Sequence, residues 1–160
     1  ISLIFTALIR TLIGLVPAIL LTSPLFGISI LNLGIPLFFL FLSLYIFGIT
    51  LGLFVSSGLI RFGPSFENIA WSSLFLLAPL GCIYYPIEIL PEFFQNLAKV
   101  LPLVFIFEEA RNILVNNVFE YKNIIYAFYL NAIYLIIGIL LFYYSFFQAR
   151  KKGSLINIGE

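Results

Sequence analysis

Glu108 and Arg111 stand three residues apart, a spacing that lets a carboxylate and a guanidinium meet on one face of a helix. Such a pair can position a segment, but alone it moves no proton and attacks no bond. The residue types that usually do so are scarce in these 160 residues. There is no His, no Asp and one Cys, Cys82, which excludes a metal cluster, a Ser-His-Asp triad and a paired-Asp site within this sequence. A lone Cys in an apolar run reads as a small buried hydrophobe and leaves no disulfide except an intermolecular one. No Gly-x-x-x-x-Gly-Lys-Ser/Thr phosphate loop occurs, so any nucleotide chemistry has to come from a partner. An intramembrane enzyme would need convergent polar groups, and Ser, Thr and Asn are only scattered here. The expectation is a protein without catalytic, metal or cofactor-binding residues of its own.

The elements that must hold the pair are set by composition. The sequence is 62% hydrophobic and 18% aromatic, with 9% charged residues, where a soluble domain carries about a quarter. A small domain has too much surface for its volume to hide these side chains, so lipid is their natural solvent. The net charge of +1 comes without a basic run able to follow a nucleic-acid backbone, which argues against nucleic acid as a partner. The first residue is Ile1 rather than Met, and no charged region precedes a short apolar stretch, so a longer native chain is expected and a signal peptide is not.

No residue from Thr11 to Ile60 is charged. As one helix that stretch would run about 75 Å at ~1.5 Å per residue, more than twice a ~30 Å hydrocarbon core. It has to fold back once, and Pro24, Gly27, Ser29, Asn32, Gly34 and Pro36 mark the turn. Spans are therefore expected near 4–25 and 37–60, a third near 68–87 after Arg61, Gly63, Pro64 and Glu67, and a fourth near 123–149. Arg10, Arg61 and the Arg150-Lys151-Lys152 cluster fall on one side; Lys99, Arg111 and Lys122 fall on the other, among Glu88, Glu92, Glu108, Glu109 and Glu120. The basic bias puts both ends of the sequence in the cytoplasm. Two readings stand for Arg10: an interfacial side chain that snorkels to headgroups, or a contact with a partner subunit on the cytoplasmic face.

Residues 86–122 are charged and yet rich in Phe, Leu, Ile and Val. Between Pro91 and Pro102, the residues Phe93, Phe94, Leu97, Val100 and Leu101 recur at helical spacing, and a second short helix is expected over 103–115. Irregular backbone at membrane depth is tolerated where protein or a watery cavity surrounds it, so the expectation is a re-entrant hairpin over 88–117. The other reading is a loop lying on the membrane surface. Gly48, Gly52 and Ser56, four apart, are read as helix packing within one subunit or as a dimer seam. Tyr121, Tyr126, Tyr143 and Tyr144 suit the membrane interface, as do Tyr84 and Tyr85 unless these two face a pathway.

The run from Pro79 to Pro91, PLGCIYYPIEILP, followed by Gln95, Leu101-Pro102-Leu103, Glu108 and Arg111, resembles the signature of type-2 ABC exporter permeases. That signature reads Pro-Leu-Ser-Gly-x-x-Tyr-Pro, then Leu-Pro, then Pro-Leu, then Glu-x-x-Arg. The sequence departs from it at Gly81 and Cys82, where the family commonly has Ser then Gly. The tail Arg150-Lys151-Lys152-Gly153-Ser154-Leu155 with Gly159-Glu160 is similar to the daunorubicin-resistance branch, whose members act in drug efflux. The resemblance implies an all-α polytopic bundle, here the last four spans of a six-span permease in the cell membrane. It implies a pair of permeases, a homodimer, around a central translocation pathway for a small hydrophobic or lipid-like substrate, driven by separate ATP-binding cassette subunits. The hairpin would be the extracellular gate, with Tyr84, Tyr85, Pro86, Glu88, Leu90, Pro91, Pro102, Glu108 and Arg111 on the gate or pathway, and Arg10 and Arg61 on the cytoplasmic face. The alternative is a membrane channel or assembly component that is not coupled to ATP.

Overall fold

A computed structural model describes residues 2–26, 34–116 and 118–152, and every element among them is helical. Helix α1 spans Ser2–Phe26, α2 Ile35–Phe62, α3 Phe66–Leu80, α4 Glu92–Ala98, α5 Pro102–Asn116 and α6 Tyr121–Lys152, with a 3₁₀ turn at Ile87–Ile89 between α3 and α4. Gly27, Ser29 and Asn32 of the expected first turn, and the tail beyond Lys152, lie outside the described residues. Three helices are long and apolar enough to cross a membrane, over Phe5–Thr22, Ile35–Phe62 and Tyr121–Lys151. The chain is thus a multi-pass membrane protein built of helices, because lipid offers backbone N–H and C=O groups no partner outside a helix or a closed barrel.

The third helix differs from its expected limits. It stops at Leu80 rather than running to Ile87, and its 15 residues cover only about 22 Å at ~1.5 Å per residue. Its end is local chemistry. Pro79 occupies the last turn, the Gly81 N–H closes on Leu77 O at 2.7 Å, and Cys82 takes a positive φ of 54°. A Cβ on Gly81 would lie 2.8 Å from the Leu77 carbonyl oxygen, so the chain turns here only because that position has no side chain.

Helices α2 and α6 form the centre of the molecule, and they run parallel. Contacts advance together along both: Leu40 with Ile124 and Ala127, Ser43 with Asn131, Phe47 with Tyr134, Thr50 and Leu53 with Gly138, and Arg61 with Tyr144. Their seam is made of small or polar residues at seven-residue steps. Ser43, Thr50 and Ser57 are buried on α2, and Asn131 and Ser145 flank Gly138 on α6. A seven-residue repeat keeps one face turned to its neighbour, and small side chains let two backbones approach. The Asn131 side-chain amide donates to Ser43 O at 2.9 Å and to Ser43 Oγ at 2.7 Å, a link worth about 0.6 and at most about 1.7 kcal/mol in a membrane setting.

Helix α5 closes onto this pair, with Ile106 packed among Leu40, Ile124 and Ala127. Gly58 receives the Phe66 ring at the elbow between α2 and α3, and there an added Cβ would run into that ring. Helix α1 stands off, and none of its apolar window Phe5–Thr22 is buried. Within the described residues of this chain, a Cβ at Gly48 or Gly52 would meet nothing within 4 Å.

Candidate functional site

The segment from Pro79 to Glu120 is built by prolines and one ion pair. Pro86, extended at ψ 150°, starts the 3₁₀ turn, Pro91 precedes α4, and Pro102 opens α5, where its missing N–H costs no helical hydrogen bond. Between them Cys82, Ala98 and Val104 make a small core, joined by Ile87, Leu90 and Leu101. Gln95 Nε2 donates to Leu90 O at 2.8 Å and ties α4 back to the strap before it. Leu90 and Pro102 are therefore packing residues of the hairpin.

Glu108 and Arg111 do meet, at 2.7 Å, with each side chain 27% exposed. Their further partners matter more than their mutual attraction. Arg111 also donates to Cys82 O at 3.0 Å, and Glu108 Oε1 accepts the Ile87 N–H at 2.9 Å. The pair thus clamps α5 to the strap between α3 and α4, satisfying two backbone groups that no helix serves. Cys82 lies inside this clamp, beyond the end of α3. Its side chain is fully buried and packs as a small apolar group.

The neighbouring carboxylate points the other way. Glu109 is fully buried; its Oε1 accepts the Glu120 N–H at 2.6 Å and its Oε2 accepts Asn123 Nδ2 at 2.8 Å. It caps the first turn of α6 from another helix, where negative charge complements the helix dipole. Consecutive carboxylates on α5 therefore hold the exit of α3 and the entry of α6. Two further contacts fix the hairpin along α6. Phe105 stacks on Tyr126 at 5.8 Å between centroids, and the Tyr134 hydroxyl donates to Val100 O at 3.3 Å. Tyr134 lies about 20 Å along α6 from Tyr121 at ~1.5 Å per residue. The turn between α4 and α5 accordingly sits beside the middle of α6, not beyond its end.

The remaining sequence-derived positions separate into two groups. Tyr85 is turned inward, its hydroxyl donating to Pro79 O at 2.9 Å, whereas the adjacent Tyr84 is 78% exposed. Glu88 and Pro91 face outward with Tyr84. Arg10 is exposed on α1, and Arg61 is exposed on the last turn of α2, its guanidinium 5.5 Å from the Phe62 ring centroid and 5.9 Å from that of Tyr144. Arg61, Tyr144 and the Arg150-Lys151 pair are at one end of the α2–α6 pair, and the hairpin is toward the other. Glu109 and Asn131 were not singled out from the sequence. Asn131 and Ser43 left a signal in the seven-residue steps of small residues, but Glu109 left none, because its partners follow α5 across a turn.

Comparison with known protein families, with curated proteins and with solved structures finds no match for this chain.

Proposed function

We propose that this chain is the membrane-embedded part of a permease subunit of a type-2 ABC exporter, working as a pair of permeases with separate ATP-binding subunits. The observation that carries the reading is where the signature-like residues lie. Tyr85, Pro86, Pro102, Glu108 and Arg111 are not dispersed: they are the residues that shape and clamp one helical hairpin. Cys82 adds to this, since its positive φ of 54° is a conformation that favours the Gly found at this point of the signature.

On this reading the chain crosses the cell membrane four times with both ends cytoplasmic. The parallel course of α2 and α6 supports the even count, because the chain between them has to return across the bilayer, and α3 with the strap after it makes that return. The contact of Val100 with Tyr134 supports a hairpin that dips from the outer side, forming the extracellular gate. The cargo is a small hydrophobic or lipid-like molecule. Affinity purification of the full-length protein from its native membrane should bring down an ATP-binding cassette subunit. ATP hydrolysis by that complex in proteoliposomes should then rise on addition of a drug, a lipid or a polysaccharide-linked lipid. A protein that purifies without any ATPase, or whose ATPase ignores all three, overturns the reading.

A further inference from the structure

Two cations converge at one end of the α2–α6 pair. Arg61 is the next-to-last residue of α2, and Lys151 is that of α6. The Arg61 guanidinium lies 5.9 Å from the centroid of the Tyr144 ring, and the Lys151 ammonium 4.7 Å from that of Phe147. Tyr144, Phe147 and Lys151 follow one another at steps of three and four, so they share one face of α6. Arg61 joins that face from the neighbouring helix. Both cations and both rings are exposed. A ring face attracts a cation without neutralising it. Two like charges gathered over adjacent rings repel each other, and an anion placed between them attracts both.

The described carboxylates are engaged elsewhere or turned away. Among the described residues the ion pair is Arg111 with Glu108, in the hairpin. Glu67 is the acidic residue nearest to Arg61 in sequence, and its Oε1 accepts the Trp71 indole N–H at 3.5 Å. Glu160 lies outside the described residues.

The level of the two cations favours a lipid as the source of the anion. A ~30 Å hydrocarbon layer takes about 20 helical residues, whereas α2 has 28 and α6 has 32. Their last turns therefore stand among the headgroups. On the same face of α6, one and two turns before Tyr144, Leu140 and Ile136 are exposed. An acyl chain can follow that apolar strip while its phosphate stays with the cations.

We propose that Arg61 and Lys151 together hold the headgroup of one anionic phospholipid over Tyr144 and Phe147, with an acyl chain along Leu140 and Ile136. The site stands apart from the transport reading and does not depend on it.

The test is native mass spectrometry of the full-length protein released from nanodiscs of equal phosphatidylglycerol and phosphatidylcholine. The wild type should retain phosphatidylglycerol preferentially. Arg61→Gln and Lys151→Gln should each lower that preference about fivefold, the change that one cation's attraction to an anionic leaflet corresponds to, and Arg61→Lys should keep most of it. Lys122→Gln is the control, because that ammonium also lies over a ring, Tyr126 at 6.0 Å, but at the other end of α6. It should leave the preference in place, as should Glu67→Gln and Glu160→Gln, and inorganic phosphate should not compete. Circular dichroism of each variant confirms that helix content is unchanged. Wild-type preference in Arg61→Gln and Lys151→Gln overturns the proposal, and loss of a copurifying protein in the same two variants would assign the cations to a partner. An equal loss in Lys122→Gln overturns it as a general effect of charge. A rise in Glu67→Gln or Glu160→Gln overturns it in favour of the chain's own carboxylate, and competition by inorganic phosphate in favour of a free anion.

Discussion

Arg111 and Glu108 each hold a backbone group of the strap in addition to one another. Arg111→Ala strips Cys82 O of its donor and leaves Glu108 with the Ile87 N–H alone. Both side chains are about a quarter exposed, so water takes up part of the loss and a cost of about 1–2 kcal/mol is expected. Lys122→Ala, a surface change that removes only an ammonium 6.0 Å from the Tyr126 ring, should stay within about 0.5 kcal/mol. Replacing Glu108 and Arg111 together by Gln and Met should recover part of the single loss. Thermal unfolding of the four proteins in one lipid mixture tests the order, and equal stability of Arg111→Ala and Lys122→Ala would reduce the clamp to a solvated contact. Cys82 makes a second prediction. An L-residue in the left-handed region costs about 1–2 kcal/mol, so Cys82→Gly exchanges that strain for the packing lost and should change stability by no more than about 1 kcal/mol. Cys82→Val, branched at Cβ, should be clearly worse in the same melting experiment. The pairing of Glu108 with Arg111 was legible in their spacing; the carbonyl and amide they also hold were not, since those lie on a strap 29 and 21 residues away.

Among the elements, the two short helices α4 and α5 were legible because their signals are local: prolines that stop helices and apolar residues at helical spacing between charges. The end of α3 was not, because the uncharged run continues past Leu80 and only backbone geometry at Gly81 and Cys82 breaks it. The anchoring of α6 was hidden for another reason. Glu109 looks like one more surface charge beside Glu108, yet it is the fully buried one. Glu109→Ala frees the Glu120 N–H and the Asn123 amide at a helix start, at an expected cost of about 1–3 kcal/mol. Hydrogen exchange should show the loss as faster opening of the first turn of α6, with the helix beyond Asn131 unchanged. Uniform acceleration along α6 would mean that Glu109 supports the whole bundle and not that turn.

For the whole molecule, membrane residence and an all-helical build were legible from composition, and three of the expected crossings coincide with long apolar helices. The packing order was not, because the residues that join α2 to α6 are 88 apart in sequence. The sidedness proposed above is open to direct measurement. A membrane-impermeant thiol reagent on intact cells should label Val118→Cys and miss Ser154→Cys in a Cys82→Ala background, and the reverse pattern would invert the orientation. One feature of α3 reaches beyond the chain itself. Its 15 residues make an apolar rod of about 22 Å beside partners long enough for a ~30 Å hydrocarbon layer. On the four-crossing reading, the lipids next to α3 have to thin or the strap after Gly81 has to fill the shortfall. Such hydrophobic mismatch costs fractions of a kcal/mol per Å, enough to sort proteins between membranes of different thickness. The melting temperature in vesicles should therefore peak with acyl chains shorter than those best for a bundle of full-length helices, and a flat response from twelve- to twenty-carbon chains would show that the strap makes up the missing length.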